Sequence, residues 1–153
     1  MHKGTNISST LFASLIVIMV ASIGLCGCNK SDDLDTIFEG RFKITSYRHN
    51  AQYENDLLKE LNNSKDVYYI VFSGKTFSGM LSEGTSIAGT WDASGSDRTF
   101  HIDLTSTNNS DNKLNRMIIN ILKNATGYSG DHNVVRIKQD NENFIDMSSG
   151  DLL

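Results

Sequence analysis

Cys26 and Cys28, one glycine apart, are the only cysteines in the chain. They are the residues best suited to covalent chemistry. A free pair would offer a thiolate nucleophile, a strained disulfide or two metal ligands. His101 and Asp103 form the other suggestive pair: two apart on a strand, they share a face opposite Phe100 and Ile102. A metal site needs at least three ligands, and His49 and His132 lie in distant segments. The pair therefore reads as polar residues on a solvated face. The aspartates of "DHN" and "DNENF", and Glu142, read as turn residues, because neither stretch has the spaced oxygen ligands and central glycine of a calcium loop. "GMLSEG" lacks the Gly-x-Ser-x-Gly of a nucleophile elbow, and "GMLSEGT" lacks the lysine of a phosphate loop. No carboxylate pair stands out for glycosidase work. The expectation is a chain that is not an enzyme, with no catalytic residue, metal or cofactor.

Binding chemistry is then left to the aromatics. Tyr68, Tyr69, Phe77, Trp91 and Phe100 fall on adjacent predicted strands. Most must be core in a domain this small. Tyr68 and Tyr69 point to opposite faces, so one is expected inside and the other outside. Tyr68, Tyr69 and Trp91 are the candidate contacts for a ligand or partner, since an exposed aromatic ring stacks on a sugar or anchors a protein.

The elements that position these groups begin with an uncharged run, Leu11 to Leu25. As a helix it would reach about 22 Å, short of the roughly 30 Å hydrocarbon core. It follows a weakly basic start (Lys3) and is apolar on every side, which reads as a signal peptide over residues 1–27. The stretch Leu25-Cys26-Gly27-Cys28 resembles the lipobox of bacterial lipoproteins, with Leu25 three places before Cys28 and Gly27 directly before it. Cys26 fits worse, because Leu25 would occupy the position that takes a small side chain. The resemblance implies a diacylglycerol on the Cys28 thiol, cleavage just before it and acylation of the new amino terminus. Two or three acyl chains anchor a protein stably where one does not. Cys26 would leave with the signal and Cys28 would become a thioether, so the mature chain would hold no thiol.

After the anchor comes "NKSDDLDTI", expected as a flexible acidic tether over residues 28–36. Lys30, Asp32 and Asp33 resemble the basic-then-acidic export signal of surface lipoproteins in Bacteroidota. Asn29, not aspartate, follows Cys28, and in enterobacterial lipoproteins an aspartate there is the inner-membrane retention signal. Asp35-Thr36-Ile37 matches the O-glycosylation pattern of Bacteroidota, making Thr36 a candidate site. The net charge of the chain is −4, and losing residues 1–27 removes only Lys3. The acidic balance argues against a nucleic-acid partner.

Residues 37–150 read as a single, mainly β domain. "FEGRFKITSYR" alternates, with Phe38, Phe42 and Ile44 on one face. "YENDLLKELNNS" sets Tyr53, Leu57, Leu58 and Leu61 at helical spacing. "VYYIVF" is apolar on both faces, as a central strand is. "TFSGML", "SIAGTW" and "RTFHIDL" follow after short turns, and Gly79 and Gly89 inside strands mark bulges or bends. Leu114, Met117, Ile118, Ile121 and Leu122 predict a second helix, capped by Ser110 or Asp111 and stopped at Gly127. "NVVRIKQ" and "NFIDMS" make a closing hairpin. The expected fold is an antiparallel meander of about seven strands curled into a barrel or half-barrel, with one or two short helices packed on it.

This arrangement is similar to the lipocalin-like and META-like domains of small Bacteroidota lipoproteins. The resemblance rests on "FEGRFKITSY", "VFSGKTFSG", "SIAGTWDASGSDRTFHIDL" and "ILKNATGYSGDHNVVRI", and spans Phe38 to about Met147. Phe42 stands where true lipocalins have tryptophan after the glycine. The resemblance implies a fold more than an activity. Altogether the sequence leads to a lipoprotein held at the outer membrane or cell surface through Cys28. It would present a non-enzymatic binding or interaction module for a protein, glycan or small apolar ligand. The alternative roles are a structural accessory subunit of an outer-membrane complex, a small-ligand carrier or an enzyme.

Overall fold

The computed structural model describes residues 32–82, 84–107 and 112–150. Among them eight strands form one antiparallel sheet. Strand β1 is Gly40–Arg48, β2 Tyr69–Ser73, β3 Thr76–Ser82, β4 Thr85–Ala93 and β5 Phe100–Thr107. Strands β6 (Gly127–Gly130), β7 (Val134–Lys138) and β8 (Phe144–Ser149) complete it. Helix α1 spans Asp32–Ile37, α2 Asn55–Asn63 and α3 Lys113–Lys123. The order across the sheet is β5-β4-β3-β2-β1-β8-β7-β6. Every sequential strand pair that is joined by a turn is adjacent, and β1 pairs with β8 to bring the two ends of the meander together. The two outer strands nearly meet. The Phe100 amide donates to the Thr126 carbonyl (3.3 Å), and the Tyr128 amide to the Arg98 carbonyl (3.0 Å). The result is a nearly closed barrel.

Alternation decides which residues face in. In β1, Phe42 and Ile44 are buried, the register shifts between Ile44 and Ser46, and Tyr47 is buried again. That bulge adds one residue, so a strand whose apolar residues stop alternating still keeps its core face. Glycines let neighbouring strands close up. A Cβ on Gly89 would lie 1.9 Å from the Asp103 carbonyl oxygen, at a second register shift between Ala88 and Gly89.

The barrel interior is filled by its own side chains. Phe38 enters ahead of β1, and its ring centroid lies 4.9 Å from Phe100, 5.0 Å from Trp91, 5.1 Å from Tyr128 and 5.4 Å from Phe72. These are contact distances for aromatic pairs, and all five rings are buried. Leu61 of α2 and Leu114, Ile118, Ile121 and Leu122 of α3 join the same core. Tyr68 and Glu60 tie the helices together: the Tyr68 hydroxyl donates to Glu60 Oε1 (2.5 Å), which also accepts from Asn112 Nδ2 (2.8 Å). Burial and the Glu60 carboxylate raise the Tyr68 phenol well above its ordinary range. None of the described helices is long and apolar enough to cross a membrane.

Several local expectations are corrected. Most of the segment read as a flexible tether is helical, Asp32–Ile37, and Leu34 is buried against the core. Leu34 in the core and Ile37 packed against it give that turn a side to bury. The α3 cap is Asn112, whose side chain accepts from the Asn115 amide (3.0 Å); Ser110 and Asp111 lie outside the described residues. The helix ends at Asn124, and Gly127 opens β6 instead of stopping the helix. That strand, "GYSG", is the additional one, too short and glycine-rich to register as a periodic pattern. Tyr53 precedes α2 and is exposed.

Candidate functional site on the outer barrel face

The residues of greatest chemical promise divide by burial. Tyr68 and Trp91 are 1% and 3% exposed, so neither presents a ring to a partner outside. Tyr68 adopts a positive φ of 59° just before β2, which turns its side chain into the core. Tyr69 is half-buried on the outer face, under the Arg41 guanidinium at 4.1 Å. Thr36 is exposed on α1. Cys28 and Lys30 lie outside the described residues, and for Asp32 and Asp33 only the helical backbone is described.

His101 and Asp103 are exposed on the outer face of β5. No group of three or more metal-ligating side chains converges among the described residues. The aspartates at the turns do turn chemistry. Asp131 accepts from the amides of Asn133 (2.8 Å) and Val134 (3.2 Å), and Asp140 from those of Glu142 and Asn143 (both 2.8 Å).

What the fold assembles instead is a charge asymmetry. Strands β2, β1, β8 and β7 are consecutive in the sheet. They carry Arg41, Lys43, Arg48, Arg136 and Lys138 against one acid, Asp146. Strands β3 to β6 carry no lysine or arginine, and have Asp92 and Asp103. Alternation turns the cations outward, since Phe42, Ile44, Val135, Ile137, Ile145 and Met147 between them are all buried. The chain as a whole is acidic, and Asp131, Asp140 and Glu142 sit in the turns at the two ends of β7, so the cationic excess belongs to the sheet surface of these strands.

Three arginines lie by aromatic rings, Arg41 and Arg136 closely enough to stack. Arg41 lies over Tyr69 at 4.1 Å, Arg48 over Tyr53 at 5.8 Å and Arg136 over Phe144 at 3.7 Å. Stacking fixes a planar guanidinium whose edges remain able to donate. Arg136 also forms a fork with Asp146, Nε to Oδ1 at 2.6 Å and Nη2 to Oδ2 at 3.0 Å. The Asp146 hydrogen bond raises the Arg136 pKa further. Lys43 Nζ donates to the carbonyls of Ser64 and Val67. Burial lowers its pKa, and the Arg41 charge adds to the effect.

Two shallow depressions meet at the β1 bulge. One, about 380 Å³, is lined by Thr45, Ser46, Ser129, Val134, Arg136 and Asp146. The other, about 500 Å³, lies between β1 and the end of α2, lined by Lys43, Thr45, Leu61, Asn62, Ser64 and Lys65. Thr45, the inserted residue, belongs to both. Tyr53 and Val134 are the large apolar side chains exposed among the described residues, each 49%, and both sit on this face. The arrangement is suited to holding anionic groups beside a few apolar contacts. Sequence reasoning missed Arg41, Arg48, Arg136, Lys138 and Val134 as a group. The signal was present as charge per strand, but β1 joins β7 only through β8, a pairing of residues about 100 positions apart.

The chain matches the model of a domain of unknown function, DUF4847, over residues 29–147. Its fold is similar to that in the crystal structure of a DUF4847 family protein from Bacteroides vulgatus ATCC 8482. The TM-score is 0.59 at 25% identity, covering 74% of this chain and 94% of that one. No curated protein matches it.

Proposed function

For a chain that belongs to the DUF4847 family, we propose a non-enzymatic interaction module, anchored by lipid on Cys28 to the outer membrane, that engages an anionic partner through the outer face of β2, β1, β8 and β7. The observation that carries the reading is the filled interior. Phe38 occupies the space between Phe72, Trp91, Phe100 and Tyr128 at ring-contact distance. A carried ligand would have to displace it, so recognition falls to the outside. There the cationic face offers Arg41, Arg48 and Lys138 and the exposed Tyr53 and Val134.

The lipoprotein part of the reading rests on the lipobox at Leu25 to Cys28 and on the apolar run before it. Cys28→Ala is expected to abolish acyl labelling and to leave the precursor uncut; labelling that persists through Cys26 would contradict it. Lys30, Asp32 and Asp33 are proposed to direct the chain to the cell surface. Their replacement by alanine should protect it from protease added to whole cells, and unchanged digestion would reduce them to a tether. The reading against a carrier is tested by native mass spectrometry of protein gently extracted from its own cells. The native and denatured masses of the monomer should agree, whereas a small organic mass lost on denaturation would return the function to a carrier.

A further inference from the structure

We propose that the cationic face docks the barrel, side-on, against the anionic lipid surface that holds the chain. The inference deepens the proposed function and rests on its lipid anchor at Cys28. The folded domain starts at α1, and Asp32 stands only four positions after Cys28. At no more than about 3.6 Å per position that stretch reaches about 14 Å. An anchor that short keeps the barrel beside the headgroups, within roughly two Debye lengths of them at physiological salt.

Held there, the domain must turn some face to the lipid, and its charges are not neutral about the choice. Arg136 is paired with Asp146 and the Lys43 ammonium is held by the Ser64 and Val67 carbonyls, which leaves Arg41, Arg48 and Lys138 to be drawn to an anionic leaflet. Asp103, on a strand without lysine or arginine, is repelled by it, while Asp92 is paired with Lys75 at 3.2 Å. Arg41 is already stacked on Tyr69, so its planar donors lose little freedom on meeting phosphate oxygens. Tyr53 and Val134 add the amphipathic ring and apolar contact that suit the boundary between headgroup and hydrocarbon. A convex barrel face fits a deformable lipid surface without the fixed complementarity that a protein partner would require.

The test uses the mature, lipidated protein, which on the lipobox reading has no free thiol, so one introduced cysteine reports alone. Val134→Cys places an environment-sensitive dye on the docking face, and His101→Cys places it on β5, across the barrel from β1. Tyr53→Cys gives a second reporter should Val134→Cys fold poorly. Each is reconstituted through its anchor into vesicles of phosphatidylcholine alone, or of phosphatidylcholine mixed with phosphatidylglycerol. The expected result is a blue shift at position 134 on the mixed vesicles only, reversed by salt and lost in the Arg41→Gln, Lys138→Gln double variant, with none at position 101. A shift that is equal at both positions, or equal on both vesicles, overturns the docking. No shift at all in protein that stays with the vesicles also overturns it, and leaves the anchor standing. Protein that stays with neither vesicle overturns the anchor and the docking together.

Discussion

Asp131 and Asp140 accept amide hydrogen bonds at the turns that flank β7, and both carboxyls are held below the ordinary aspartate range. The Val134 amide, then that of Asn133, acts on Asp131; the Glu142 amide, then the Asn143 side chain, acts on Asp140. A carboxylate whose pKa is lower folded than unfolded adds stability above the unfolded value, about 3.9, and loses it as pH falls through the folded one. The thermal midpoint should therefore be flat from neutrality to about pH 5 and fall below about pH 4. Asp140→Asn keeps an acceptor oxygen but removes the titration. It should lower the midpoint at pH 7 and flatten the acid limb, measured by circular dichroism melts across the pH series. An unchanged acid limb would remove Asp140 from this role. Turn aspartates were legible in the sequence because their chemistry is local. The fates of Tyr68 and Trp91 were not. Alternation put one tyrosine of "YY" inside and one outside, as found, but which side of a sheet is inside depends on how the sheet closes, and closure makes Tyr68 the inward one.

Among the elements, the β2–β3–β4–β5 ribbon depends on close backbone approach. A methyl on Gly89 would lie 1.9 Å from the Asp103 carbonyl oxygen, and one on Gly79 2.4 Å from that of Tyr69. Neither neighbour is a flexible side-chain end, so the strands themselves would have to part. Gly89→Ala is expected to destabilise by about 3 kcal/mol, at the upper end of single substitutions, read as a shift in the urea midpoint. A cost below about 1 kcal/mol would show that the register shift at Ala88/Gly89 absorbs the methyl. Here the sequence was informative, because glycine weakens a strand interior and persists there where a bulge or a neighbouring backbone needs the space. Helix α3 was equally plain, with its apolar residues at i, i+3, i+4, i+7 and i+8. Its cap at Asn112 and the strand β6 were hidden, one because several polar residues compete for the cap, the other because four residues carry no period.

For the whole molecule, closure of the barrel and filling of its interior are the same event, and Phe38 joins them. It touches rings from β2, β4, β5 and β6, including both strands at the seam. Phe38→Ala should cost about 3–5 kcal/mol and open an aromatic-lined space that takes up a small apolar dye; wild-type protein should take up none. A loss near 1 kcal/mol would mean that the interior collapses around the gap and that Phe38 is not its keystone. The meander could be read from strand and turn patterns. The cationic face could not, because it arises only when residues near Ile44 lie beside residues near Asp146. The central claim, that partners meet the outside of β2, β1, β8 and β7, is tested most directly by photocrosslinking in growing cells. A photoreactive residue is placed at Val134, at Tyr53 or, on the far side, at His101. Adducts are predicted from positions 134 and 53 and not from 101. Adducts from 101 alone, or equally from all three, would contradict the account.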